Sequence, residues 1–161
     1  MKLIKLIILG AVFSGLVFAQ TSKEKAELGF SGFSWRSGEL VEINSEKMTM
    51  VLNERRVNFK DNVVVKKGRS VIYCDELILS YSLEGGIEWL RASGGVKLVE
   101  GEVFAVGKEL EYLKGQNQFV LLGEPKLVSK GQIMSGEKMT FDLSHNRLEV
   151  VLPRIEFQGE K

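Results

Sequence analysis

The chain has one cysteine, Cys74, and one histidine, His145, the side chains most often used as nucleophile, general base or zinc ligand. A zinc site or a Cys-His pair would require these two residues, far apart in the chain, to meet in the fold. His145 lies in a Ser-His-Asn sequence that is typical of a turn. We therefore predict no catalytic residue and no metal site.

Carboxylates and glycine-rich loops are the other groups that would suggest catalysis. Asp75 and Glu137 occupy equivalent positions of an internal repeat described below, which indicates structural or solvated side chains. The chain has no Gly-Lys-Ser/Thr phosphate loop and no dinucleotide fingerprint, and the pairs Gly85-Gly86 and Gly94-Gly95 are typical of hairpin turns. No cofactor is predicted, and an enzyme is the rival class rather than the preferred one.

The first residues have the plan of a signal peptide. Lys2 and Lys5 precede an apolar run from Leu6 to Phe18, and Ala19 follows it. This run is shorter than the roughly 20 residues that a spanning helix needs. We predict a signal peptide over residues 1–19, cleaved before Gln20, and export of the mature chain; an uncleaved membrane anchor is the competing interpretation.

The rest of the chain has the size of one domain. Residues 20–33 are predicted to be a mobile mature N-terminus and residues 34–161 a single domain, while the aromatic segment Phe30–Trp35 has no assigned role. Without the leader, 20 basic side chains face 21 acidic ones, so the sequence gives no indication of nucleic-acid binding. A lone exported cysteine cannot form an intramolecular disulfide, and Cys74 is predicted to be a buried small residue.

The mature sequence reads as strands. Val, Ile, Leu, Phe and Tyr come in short, partly alternating runs, and no segment has a helical stripe over three turns. Turn signals separate the runs, among them Lys66–Arg69, Glu100–Glu102, Lys114–Asn117 and Ser129–Gln132. Their spacing predicts an all-β protein, either an antiparallel meander or a jelly roll.

An internal repeat is the strongest signal in the sequence. Segments that begin at residues 46, 75, 108 and 137 share a pattern of two charged residues followed by apolar residues at alternate positions. A small residue precedes each segment: Ser45, Cys74, Gly107 and Gly136. The apolar spacing changes parity across the charged pair, which predicts a bulge or kink that keeps apolar side chains on the inside. Each unit is thus a strand, a glycine turn and a longer kinked strand.

These runs resemble the OstA-like domain of the lipopolysaccharide transport protein A family. The likeness covers about residues 40–152, and the runs that carry it are Phe59–Val65, Ile72–Leu77, Ala92–Leu98, Leu122–Leu127 and Met134–Phe141. It is a pattern of strand repeats and contains no active-site motif. The resemblance implies an open, twisted antiparallel β-jelly roll built from repeated strand pairs. It also implies a periplasmic bridge of stacked jelly rolls that shields the acyl chains of lipopolysaccharide in an apolar groove.

Two alternatives stay open beside this carrier function. One is the membrane-anchored component C of the same pathway, and the other is a structural β-module of the envelope without a lipid ligand. Burying acyl chain is favourable by about 0.8 kcal/mol per CH₂, so an apolar groove would hold lipid without specific polar contacts. The same apolar residues would also line an ordinary sandwich core.

The repeat and the resemblance together give two sets of candidate residues. The lipid-groove candidates are Met48, Met50, Val63, Val65, Ile72, Leu77, Leu79, Val96, Leu98, Ala105, Leu110, Tyr112, Leu127, Met134, Met139 and Phe141. The edge-strand candidates for assembly are Leu40, Val41, Ile43, Leu148, Val150 and Leu152. An open sheet leaves edges that pair with another chain, so we expect assembly with itself or with related jelly rolls. Pro153 is predicted to limit pairing beyond the last strand, Leu148–Leu152.

Overall fold

The computed structural model describes residues 39–157. The predicted signal peptide, the predicted N-terminal segment 20–33 and the segment Phe30–Trp35 lie outside this range. The described chain forms a 3₁₀ turn at Leu52–Glu54 and the strands β1 (Val41–Asn44), β2 (Lys47–Val51), β3 (Arg56–Lys67), β4 (Ser70–Tyr81), β5 (Ile87–Glu100), β6 (Val103–Leu113), β7 (Gln118–Leu122), β8 (Lys126–Ser129), β9 (Gln132–Ser135), β10 (Lys138–Asp142), β11 (Arg147–Val151) and β12 (Arg154–Phe157). Within the described residues, no helix is long and apolar enough to cross a membrane.

All strands join one antiparallel sheet of twelve strands. The main order is β1-β3-β4-β5-β6-β7-β10-β11, and β2 pairs with β3, β8 with β6 and β9, and β12 with β9. Four long central strands, β3 to β6, connect by tight turns at the positions that the glycine signals predicted. The predicted all-β class and the turns are therefore confirmed.

The long strands change layer partway along their length. The pairing register shifts between Lys60 and Val63, between Tyr73 and Glu76, and between Ser93 and Val96. Because of these kinks, one half of each long strand pairs within one layer and the other half within a second layer. Layer 1 consists of β1, β8, β9, β12 and the adjoining halves of β3 to β6; layer 2 consists of β2, β7, β10, β11 and the other halves. The predicted kinks are confirmed.

The kinks follow from local backbone chemistry. Asp61 and Asn62 in β3, and Gly94 and Gly95 in β5, have positive φ angles, a conformation that Gly and Asn adopt more readily than other residues. Between these strands, β4 bends at Cys74, where the side chain is small and buried. The small residues of the repeat therefore lie where the sheet folds over on itself.

The core lies between the two layers. Buried side chains from both layers, including Ile72 and Leu98 of layer 1 and Leu90 and Phe119 of layer 2, form one continuous hydrophobic cluster. Alternate residues of each strand point into this cluster, and their neighbours face outward. The fold is the open antiparallel β-jelly roll that the family resemblance implied.

The C-terminal end differs from the prediction. After β11 the chain turns at Leu152, which has a φ of 49°, and at Pro153, and it then forms β12 against β9. The expectation that Pro153 limits further pairing was wrong. Proline removes only its own amide donor, and the turn carries the chain from layer 2 to layer 1, where β9 offers a free edge.

We expect Gly107→Ala to destabilise the fold. A Cβ atom at Gly107 would lie 2.8 Å from the carbonyl oxygen of Leu122 and 2.9 Å from the Leu121 side chain, so the neighbouring strand would have to shift. The expected loss is about 1–3 kcal/mol in the free energy of unfolding, measured by urea denaturation. Gly115→Ala is the matched control, because no atom lies within 4 Å of its Cβ position; its effect should stay within about 0.5 kcal/mol. Equal effects at the two positions would contradict the account of the kink.

Candidate functional site

The inner surface of the jelly roll consists of cross-strand rows of apolar side chains. In layer 2, one row contains Met50, Val57, Leu79, Leu90, Tyr112, Phe119, Phe141 and Leu148, each paired with the next. A second row of layer 2 contains Met48, Phe59, Leu77, Ala92, Leu110, Leu121, Met139 and Val150. The row of layer 1 contains Ile43, Val65, Ile72, Leu98, Ala105, Leu127, Met134 and Ile155. Each row runs perpendicular to the strands, from the first edge of the sheet to the last.

The structure places every predicted groove residue on this inner surface. Most of them lie in the three rows, and Val63 and Val96 lie beside the kinks, opposite Cys74 and Gly107. Nearly all are buried, with Ile72, Leu98 and Leu110 at 0% exposure. Met134 is half-buried, and Met48 and Met50 are exposed at 58% and 46%, because β2 is an edge strand. Whether any of these residues contacts lipid stays a prediction.

The sequence analysis missed other members of the same rows. Phe119 and Leu121 of β7 alternate with half-buried neighbours and have 0% exposure, so period-2 alternation was the available signal. Val57, Phe59, Leu90 and Ala92 precede the kinks of β3 and β5. They were overlooked because the prediction followed the four repeated segments, and these positions lie between the segments.

The predicted edge residues lie at the two ends of the rows. Val41 and Ile43 belong to β1, and Leu148 and Val150 belong to β11. Within the described chain, β1 pairs only with β3 and β11 only with β10, so each strand has an unpaired side. Leu40 and Leu152 flank these strands and are exposed. The sequence analysis did not identify β2 and β12, which form the remaining edges of the two layers.

An open cavity lies between the layers at the C-terminal end. Its volume is about 680 Å³, and it is lined by Leu127, Ser129, Gln132, Met134, His145, Asn146, Arg147, Leu148, Val150, Pro153 and Ile155. The apolar lining comes mainly from β8, β9, β11 and β12, where the two layers diverge. It includes two groove candidates, Leu127 and Met134, and two edge candidates, Leu148 and Val150. The rows are therefore closed in the centre of the molecule and open at this end.

The inner surface of layer 1 ends in a polar row beside the turns. Lys67, Ser70 and Glu100 are paired in sequence across β3, β4 and β5, and all three are buried. The Ser70 hydroxyl donates to Glu100 at 2.7 Å, and Arg69 approaches the same carboxylate at 3.2 Å. Burial lowers the pKa of Lys67, and the nearby Glu39 opposes that shift. This row forms the polar border of the apolar surface.

The two residues considered first for catalysis have structural environments. Cys74 is buried in the kink of β4, and burial, with a smaller effect of Asp75, raises its thiol pKa to about 12. The His145 ring nitrogen Nδ1 lies 2.9 Å from Asp142, which also accepts hydrogen bonds from the amides of Ser144 and His145. The hydrogen bond from His145 and these amides hold the pKa of Asp142 below its usual range. Residues 39–157 contain no cluster of three or more potential metal ligands.

The geometry defines a class: an open β-jelly roll whose inner surface is apolar from one edge of the sheet to the other. The chain belongs to the family described as LptA/(LptD N-terminal domain) LPS transport protein, whose model matches residues 42–147. No match was found among curated protein sequences.

A solved structure has the same fold. It is that of LptH from Pseudomonas aeruginosa, described as the LptA homologous periplasmic component of the conserved lipopolysaccharide transport device. The two structures align with a TM-score of 0.67 and 16% sequence identity, over 75% of this chain and 96% of LptH. At this identity the likeness establishes the fold alone.

We expect the folded protein to resist thiol reagents. A thiol with a pKa near 12 is almost entirely protonated at neutral pH, and the thiolate is the reactive form. The native chain should therefore react with iodoacetamide far more slowly than the urea-unfolded chain, which is the control for an intact thiol. Mass spectrometry measures the modified fraction. Rapid labelling of the native protein at pH 7 would mean that Cys74 is accessible.

Proposed function

We propose that this protein is a periplasmic lipid carrier that shields the acyl chains of lipopolysaccharide between its two layers. In this proposal it passes them from the inner to the outer membrane as one component of a bridge. The observation that carries the proposal is the set of apolar rows that run uninterrupted from β1 and β2 to β11 and β12, in a chain of the LPS transport family. The protein would act by binding and transfer, without catalysis.

The rows suit a ligand that must move along the sheet. Transfer of acyl chain from water to an apolar surface is favourable by about 0.8 kcal/mol per CH₂, and this gain is nearly the same at each step along a uniform row. A ligand moving from Ile72 to Leu98 to Ala105 exchanges one apolar contact for another. Such a surface would bind the acyl chain strongly overall and oppose its sliding along the row only weakly.

Loading requires a change in the packing of the layers. The central row members are fully buried in one cluster, whereas the C-terminal cavity is already open. We infer that acyl chains enter between the layers by displacing contacts across the core, starting where the layers already diverge. Methionine side chains suit this exchange because their thioethers adapt to irregular partners, and Met134 lies in the cavity wall.

The proposed bridge forms by head-to-tail assembly with itself or with related jelly-roll components at the two membranes. Each end of the sheet has an edge strand in each layer, so β12 of one copy would extend β1 of the next, and β11 would extend β2. Pairing of these edges would join each apolar row to its counterpart. The groove would then continue across the junction.

The proposed function also requires export of the chain. Residues 1–19 have the composition of a signal peptide, and cleavage before Gln20 would release a mature chain of residues 20–33 and a single domain over 34–161. Retention of the leader would instead favour the membrane-anchored component of the same pathway.

A structural β-module without a lipid ligand is the competing function, and the complete burial of central core residues favours it. The two functions differ in ligand binding. A hydrophobic dye should bind the open end of a carrier and be displaced by lipopolysaccharide, whereas a closed sandwich should hardly bind the dye.

We expect inward and outward residues to differ in photo-crosslinking to lipopolysaccharide in cells. Phe141 and Leu148 face the interior, and their neighbours Thr140 and Glu149 face outward and serve as matched controls. A benzophenone amino acid at the inward positions should give lipid adducts, detected by a mobility shift and antibody, and the controls should give none. Adducts at all four positions, or at none in a folded and exported protein, would refute the groove.

We expect cysteine crosslinking to reveal head-to-tail pairing. In a Cys74→Ala background, Thr49→Cys places a thiol on β2 and Glu149→Cys places one on β11. Both positions lie on the outward-facing side of layer 2, at opposite ends of one cross-strand row. A mixture of the two variants with a short bismaleimide should give the mixed dimer as the main product, seen by electrophoresis and mass spectrometry. Dimers of like variants would indicate a symmetric contact instead. A monomer in both crosslinking and light scattering would exclude assembly.

A further inference from the structure

The mouth of the C-terminal cavity differs chemically from its walls. The strands contribute Leu127, Met134 and Leu148, whereas the two turns at the open side contribute polar side chains. Ser129 and Gln132 border the β8–β9 turn, and His145 and Arg147 border the β10–β11 turn. The cavity therefore has an apolar body and a polar mouth, the shape that suits an amphiphilic molecule with one polar end.

The charged side chains that line the cavity have one sign, and the Asp142 carboxylate lies beneath them. Among the residues that line the cavity, Arg147 carries a positive charge, His145 carries one when protonated, and none is a carboxylate. We propose that Arg147, assisted by His145, binds the phosphate group of a lipid whose acyl chains occupy the cavity. This inference rests on the proposed carrier function and adds a headgroup site to it.

Asp142 holds the His145 and Arg147 side chains near each other at the mouth of the cavity. It lies beneath the turn with a side-chain exposure of 10%, accepts the hydrogen bond from His145, and lies 3.7 Å from the Arg147 guanidinium. The side chains of Arg147 and His145 are 65% and 76% exposed. At 3.7 Å the ion pair is loose, and a guanidinium has five N–H donors, so Arg147 keeps donors for a phosphate. His145 uses Nδ1 toward Asp142, which leaves Nε2 for the ligand.

The location agrees with the course of the apolar rows. Leu148 pairs with Phe141 at the end of the first inner row of layer 2, and Arg147 precedes it on the same strand. A lipid with its acyl chains on Leu148 and Val150 would hold its phosphate at the turn, where water is accessible. The site would orient the headgroup outward while the chains remain between the layers.

The test compares two lipids that differ only in phosphate. The full chain is titrated with lipid A and with enzymatically dephosphorylated lipid A, and binding is followed by displacement of a hydrophobic dye. Arg147→Gln should weaken binding of lipid A roughly tenfold and leave binding of the dephosphorylated form unchanged. Arg147→Lys should retain part of the affinity, because a positive charge remains. Added salt should reduce the difference between wild type and Arg147→Gln.

Arg154→Gln is the matched control. Arg154 is 78% exposed on β12 beside the cavity, but it is not among the residues that line the cavity, and its guanidinium pairs with Glu156 at 3.1 Å. This variant should bind both lipids like the wild type. Equal losses for both lipids in Arg147→Gln, or no loss for either, would overturn the headgroup site while the carrier function stands. A wild-type chain that binds neither lipid would overturn both.

Discussion

The close approach of the two layers at the line of kinks is the constraint on which the rest of the structure depends. Each long strand must change layer and still present its apolar side chains to the same interior, and a regular strand cannot do this because its side chains alternate strictly. The extra residues at Asp61-Asn62 and Gly94-Gly95 shift the alternation of inward and outward side chains at the points where β3 and β5 bend. The neighbouring strands have little space there, and so Cys74, Gly107 and Gly136 are small. Without the kinks in β3 to β6, the sheet would be a single layer with an exposed apolar face.

The same constraint explains what the sequence could predict. A small residue, a charged pair and a change in apolar parity recur at the kinks of β4 and β6 and at the breaks between β1 and β2 and between β9 and β10. The inner positions that follow these points were therefore recognisable from residue types. Phe119 and Leu121 were missed because β7 is a short strand without the motif. The strand β12 was missed because a proline was treated as an end signal, whereas the chain had a free partner, β9, in the other layer. The cavity mouth was also beyond prediction, because its polar side chains come from turns that only the folded sheet brings together.

A tightly buried interior and the proposed lipid-carrying function place opposing demands on the same side chains. Burial of Ile72, Leu98 and Leu110 stabilises the jelly roll, and in the proposed function an entering acyl chain would have to replace those contacts with its own. The replacement is nearly balanced because both states bury apolar surface of the same kind. Protein packing is dense, however, and a partly opened core loses contacts on both sides, so entry is most favourable where packing is already incomplete. That place is the C-terminal end, where β11 and β12 lack further neighbours within the described chain.

The two ends of the sheet are not equivalent, and this difference bears on how a bridge of such units would work. At the first end, β2 exposes Met48 and Met50, which face the same side as Val57 and Phe59. At the last end, β11 and β12 enclose a cavity whose wall continues the same rows. A protruding apolar edge and an apolar cavity are complementary, whereas two copies of either end are not. A heterologous contact between unlike ends repeats in one direction, so this asymmetry favours an extended array over a closed dimer. The apolar rows of successive units would then align, because backbone pairing between the edge strands, and not side-chain contact at the junction, would set the position of each row.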